Sequence, residues 1–184
     1  MRHHGIWIAV GVVWLIAALA SKQTARSEPA TSRLLHIAIM AAVFALPFSA
    51  TLRVDPLAWR FVPDSPVVAW AGLAVTAAGF TFAIWARMLL GGNWSSSMTV
   101  KQDHQLIRQG PYSIVRHPIY SGLLLALLGT ALALGELRGI VALALALAGW
   151  HIKSRREEAF MVAQFGAGYI EYEHEVKALI PFVL

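Results

Sequence analysis

The chain of 184 residues is 58% hydrophobic and only 14% charged, with a mean hydropathy of +0.61, which excludes a soluble domain of ordinary make-up and marks an integral membrane protein. It has no cysteine, so disulfides, thiolate catalysis and cysteine-ligated metals are excluded. The formal charge of +5 comes from basic residues scattered among loops between apolar runs, where they set topology; nucleic acid is not an expected partner.

Apolar stretches follow at about 5–20, 34–50, 67–90, 118–134 and 139–152. A hydrocarbon core takes about 20 helical residues, which the third stretch supplies amply and the fifth barely. The expected architecture is all-α, with about five transmembrane helices. The fourth and fifth runs are separated only by "GELRG" and form a tight hairpin, with Glu136 and Arg138 expected in headgroups or water. Residues 1–66 read as an N-terminal two-span membrane region and 67–184 as a catalytic membrane region with cytosolic loops and a C-terminal cytosolic helix.

Lys and Arg set the orientation. With the N-terminus outside and the C-terminus cytosolic, Lys22, Arg26, Arg33, Lys101, Arg108, Arg116, Lys153, Arg155, Arg156 and Lys177 are cytoplasmic, against Arg2, Arg53, Arg60 and Arg138 outside. The first run also fits a cleavable signal peptide ending at Ala18-Leu19-Ala20, and cleavage there would reverse this assignment. The external segment 51–66, with Trp59, Phe61 and three prolines, suits an interfacial loop.

Titratable residues gather in two segments on one side, 91–117 and 153–178. In "GPYSIVRHPIYSG" (110–122), Pro118 marks a helix start, where its missing amide hydrogen costs nothing. That helix start is an expected anion site reinforced by Arg116 and His117. "KSRREE" reads as the opening turns of a cytosolic helix, on which Glu157 and Glu158 point about 100° apart, so that one faces inward. Arg87 is expected to snorkel to headgroups, Gly72 and Gly79 to pack helices closely, and Phe165, Tyr169, Tyr172 and Val176 to form a packing stripe. The histidines lack metal-ligand spacing, so no metal is expected.

"HQLIRQGPYSIVRHPIYSG" followed by "RREEAFMVAQFGAGYIEYEHEVKALIP" resembles the isoprenylcysteine carboxyl methyltransferase family, with phospholipid methyltransferases related to it. The resemblance rests on His104 to Ile107, Gly110 to Tyr112, Arg116 to Gly122, Glu157-Glu158, Phe165-Gly166, Tyr169, Tyr172 and Pro181, and covers roughly the chain from residue 85 onward. It implies a membrane-embedded methyltransferase that uses S-adenosyl-L-methionine without a Rossmann fold. By the same resemblance His104, Leu106, Ile107, Tyr112, His117, Pro118, Tyr120 and Glu157 line the cofactor pocket, and Arg116, Lys153, Arg156 and Glu158 serve substrate and catalysis. Lys153 stands where the family pattern has Arg, one turn before Glu157, which leaves the substrate's acidic group open.

The implied substrate is lipophilic or prenylated and enters from the bilayer, with carboxylate O-methylation favoured. N-methylation of a phospholipid amine, in which His104 or Glu158 would take a proton, is the alternative. An NADPH-dependent membrane reductase is another, because such enzymes carry a similar Arg-His-x-x-Tyr-x-Gly segment.

Overall fold

A computed structural model describes Trp7 and residues 30–90 and 106–184. Five α-helices run through these residues: α1 (Ala30–Phe48), α2 (Pro66–Leu90), α3 (Pro118–Leu134), α4 (Leu137–Phe165) and α5 (Ala167–Glu175). Apart from Trp7, the first apolar run lies outside the described residues, as does segment 91–105.

Helix starts and stops follow local chemistry. Pro66 and Pro118 each occupy a first helical position; Ser65 Oγ accepts the Val68 amide hydrogen at 3.2 Å, capping α2. Gly135 ends α3 in the left-handed conformation, φ 69°, its N–H bonded to the Ala131 carbonyl. Glu136 then leads directly into α4, giving the expected tight hairpin.

The antiparallel pair α2 and α3 is the tightest helix contact among the described residues because both helices present glycine at the crossing. A Cβ on Gly72 would lie 2.5 Å from the Gly129 carbonyl oxygen, and one on Gly122 would lie 2.6 Å from that of Gly79. Two glycines seven residues apart on each helix thus let the backbones touch. Around this contact the core gathers Phe80, Leu124, Leu127, Ala146 and Trp150, with Val43 from α1 and Trp7, whose indole N–H donates to Thr130 Oγ1 at 3.0 Å. Helix α1 packs along α4. Helix α2, 25 residues long, is by length and composition able to cross a membrane.

Two expectations are corrected. Glu136 and Arg138 are buried, at 2% and 6% exposure, because the 50–65 loop folds over the hairpin end. Leu137 and Arg138 donate their amide hydrogens to the carbonyls of Trp59 and Leu57, and Phe61 donates to Gly135. Glu136 is bridged by Arg138 at 2.8 Å and Arg53 at 3.0 Å, so the charges are paired in protein instead of being hydrated. Second, the fifth apolar run and "KSRREE" belong to one unbroken 29-residue helix, α4, and Glu157 and Glu158 sit toward its C-terminal end. No Pro or Gly separates residues 150 and 165, so nothing stops the helix before Gly166.

The molecule therefore has two ends. One holds the α3–α4 turn and the 50–65 loop. The other brings together the start of α3, the last turns of α4, the 106–117 segment and α5 with the chain after it.

Candidate active site

At this second end, residues 150, 153 and 157 of α4 share one face, since steps of three and four close a helical turn. Opposite them stand His117, the residue just before α3, and Tyr120 from its first turn. The Tyr120 hydroxyl donates to Glu157 Oε1 at 2.8 Å, and the other Glu157 oxygen lies 3.5 Å from His117 Nδ1. Lys153 Nζ sits over the Tyr120 ring, 5.8 Å from its centroid, and 4.0 Å from Glu157 Oε1. The rings of His117, Tyr120 and Trp150 form one near-parallel series, with centroids 5.7 and 5.8 Å apart and interplanar angles of 13° and 5°.

Glu158 points elsewhere, into the protein. Its Oε1 accepts from Arg116 Nε at 2.8 Å and lies 2.6 Å from Arg116 Nη2 and 3.2 Å from His117 Nε2. Burial alone pushes this carboxyl up, but hydrogen bonds from His117 and Arg116, together with their positive charge, outweigh it and hold it below the usual carboxylate range. Its Oε2 is buried without a hydrogen bond, 3.7 Å from the exposed Arg155. The groups expected to reinforce an anion site at the start of α3 are thus met by the protein's own carboxylates.

Arg116 also gathers the C-terminal part. Its Nη1 donates to the carbonyls of Glu173, at 3.0 Å, and Val176, at the end of α5, where exposed carbonyls attract a cation. The backbone amides of Arg116 and His117 donate to Lys177 and Ala178, and Ser121 Oγ donates to the Leu179 carbonyl at 2.6 Å. Further up the segment, Arg108 donates to the Gly168 carbonyl, pairs with Glu171 at 3.4 Å and stacks over Tyr172. The Tyr172 hydroxyl donates to the Tyr112 carbonyl at 2.5 Å. Helix α5 and the following residues form a strap across 108–121. The expected stripe of Tyr169 and Tyr172 faces this segment, and burial raises the pKa of Tyr112, Tyr169 and Tyr172.

Of the residues singled out from sequence, the structure brings His117, Tyr120, Lys153 and Glu157 into one cluster, with Arg116 and Glu158 directly behind. Pro118 is the buried first residue of α3, and Tyr112 is buried beneath the strap in the turn opened by Gly110 at φ 61°. Leu106 and Ile107 are half-buried, and Arg156 lies on the exposed side of α4. His104 lies outside the described residues. Trp150 was not foreseen as part of the cluster, although its spacing from Lys153 and Glu157 placed it on their face.

The phospholipid methyltransferase family model matches residues 67–168, which contain every element of this cluster. Protein-S-isoprenylcysteine O-methyltransferase B of Arabidopsis thaliana is 37% identical over 86 residues, covering 45% of this chain and 43% of its own length. Protein-S-isoprenylcysteine O-methyltransferase of Schizosaccharomyces pombe is 38% identical over 85 residues, 45% of this chain and 35% of its own. The chain spans less than half the length of these two relatives. Among solved structures, the eukaryotic intramembrane Ras methyltransferase, an isoprenylcysteine carboxyl methyltransferase, superposes with a TM-score of 0.55 at 24% identity over 85% of this chain and 55% of that one. The shared fold is that of an all-α integral membrane protein.

Proposed function

The chain belongs to the phospholipid methyltransferase family, and from that premise we propose that it is a membrane-embedded methyltransferase that uses S-adenosyl-L-methionine and methylates a lipophilic acceptor, with a prenylcysteine-type carboxylate favoured. The observation that carries this reading is the Glu157 cluster: a half-buried carboxylate fixed by Tyr120, beside an ammonium and an aromatic series, at one end of the helices.

These groups fit the donor's chemistry. The donor carries an ammonium that a carboxylate can hold, a carboxylate that a cation can hold, and a flat adenine that stacks on rings. Glu157 and Tyr120 would bind and orient it, with Leu106, Ile107, Tyr112 and Pro118 supplying the surrounding wall. The bound sulfonium supplies an electrophilic methyl group whose C–S electron pair stays on sulfur as the bond to the acceptor oxygen forms. Lys153 would meet the acceptor carboxylate as a point charge.

A carboxylate nucleophile needs no base, only placement in a site poor in water. An amine must first lose a proton. Glu158 is poorly suited to take it, because one of its oxygens is engaged by Arg116 and His117 and it is held below the usual carboxylate range. Glu158 is thereby disfavoured as the base, His104 lies outside the described residues, and a carboxylate acceptor, which needs neither, is the favoured reading.

The positive-inside pattern supports a cytosolic site, with substrate entering sideways from the bilayer. The cysteine-free chain permits a direct check of orientation. A single cysteine at exposed Ser113 should react with an impermeant reagent only from the cytosolic side, and one at exposed Asp64 only from the other; the reverse would overturn the topology.

Calorimetry with S-adenosylhomocysteine and NADPH on the detergent-purified protein tests the cofactor assignment. Binding of the former alone is expected, followed by turnover of farnesylcysteine analogues in preference to phosphatidylethanolamine. Binding of NADPH alone would overturn the reading.

A further inference from the structure

We infer that Trp150 is a positioning residue of this site: its indole holds Tyr120, and through Tyr120 the Glu157 carboxylate, in one orientation. The inference rests on the reading of Glu157 as the carboxylate that holds the methyl donor.

Glu157 is only half-buried and stands toward the end of a long helix, so its rotamer needs external support. The shortest hydrogen bond it receives is the 2.8 Å one from Tyr120; His117 Nδ1 and Lys153 stand farther off, at 3.5 and 4.0 Å. That bond is made at the far tip of the Tyr120 side chain. A modest rotation about the Cα–Cβ bond therefore sweeps the hydroxyl out of hydrogen-bond range. Whatever fixes the ring fixes the carboxylate.

Two rings lie near-parallel to Tyr120, and they differ in how firmly they are held. His117 is the residue just before α3, and its nitrogens face Glu157 and Glu158. Trp150 lies 5° from parallel, is 4% exposed and belongs to the core cluster with Phe80, Leu124 and Ala146, so its ring is immobilised by packing on the membrane side of the site. It is also rigidly in phase with Glu157: seven residues on a continuous α-helix amount to nearly two turns. The indole therefore transmits the order of the core to a half-buried carboxylate, with Tyr120 as the link. Among the described residues no hydrogen bond, ion pair or ring interaction joins Trp150 to Glu157, so the effect is carried by the phenol between them.

The test is a double-mutant cycle read as S-adenosylhomocysteine affinity by calorimetry. Trp150→Met, which fills the volume without a ring, should weaken binding about tenfold, while Trp150→Phe, which keeps a ring, should cost about threefold or less. In a Tyr120→Phe background, where the hydroxyl is gone, either substitution should add less than about twofold. Undiminished affinity in Trp150→Met would overturn the inference. So would an equal loss in both backgrounds, which would mark general loosening of the fold. If Trp150→Met yields no folded protein, Trp150→Leu, which likewise removes the ring, is read in the two backgrounds against the same expectations. Failure of the unsubstituted protein to bind S-adenosylhomocysteine would instead overturn the donor-site reading, and the inference with it.

Discussion

Arg116 and Glu158 close the C-terminal strap on the site. The guanidinium reaches the carboxylate at 2.6–2.8 Å while donating to two carbonyls at the end of α5, and both side chains are over nine-tenths buried. Removing one partner strands the other charge, so Glu158→Gln should destabilise the protein by about 3 kcal/mol. Thermal unfolding in detergent measures this, and limited proteolysis should cut first in the strap.

The same pair sets a pH dependence. Because the folded Glu158 carboxyl is held below its ordinary range, its stabilising contribution is complete above the unfolded value, about 4, and is lost as pH falls through the lower folded value. Thermal stability should drop as pH falls below about 4, and Glu158→Gln should flatten that limb. At the alkaline end Tyr112, Tyr169 and Tyr172 stay neutral in the fold after unfolded tyrosines ionise, so stability should fall as pH rises beyond about 10.

Glu157 and Glu158 are adjacent, and their substitutions should behave differently. Glu157→Ala should abolish S-adenosylhomocysteine binding with little change in unfolding temperature, since its side chain is half-buried. A suitable control is exposed Glu175→Ala, which should leave both unchanged. Equal losses from Glu157 and Glu175 would remove the assignment.

The hairpin end offers the opposite dissociation. Buried Glu136 neutralises buried Arg138 and also meets the exposed Arg53, so Glu136→Ala should cost about 3 kcal/mol of stability. Cofactor affinity in the surviving fold should stay within about twofold, because the cluster lies at the other end of α3 and α4.

Glycine packing between α2 and α3 makes a steric prediction. Gly129→Ala would drive a methyl into the Gly72 carbonyl and should cost about 1–3 kcal/mol, whereas Gly168→Ala meets only Arg108 at 3.8 Å and should be tolerated. Unfolding temperatures of the two variants check this.

Much of the site was legible because its chemistry lies in local patterns. Pro118 announced a helix start, the step from Lys153 to Glu157 announced one face, and the "RHPIY" segment announced the family. What was not legible depended on tertiary pairing. A charged turn such as "GELRG" ordinarily faces water, and only the 50–65 loop folding over it explains why Glu136 and Arg138 are buried. Likewise "KSRREE" reads as a fresh helix start when polarity is taken as a boundary, but the backbone has no breaker there and continues. Trp150 was overlooked because a tryptophan closing an apolar run ordinarily belongs to the interfacial belt.

The continuity of α4 makes the site phase-locked to the membrane-embedded half of the chain. Each residue on an α-helix advances the azimuth by about 100°, so Trp150, Lys153 and Glu157 share a bearing only while the count between them is kept. Adding or deleting one uncharged residue there would preserve charge and helicity, yet turn the carboxylate away from the phenol. The spacing from 150 to 157 is thus a structural constant of the site, independent of which side chains fill the positions between.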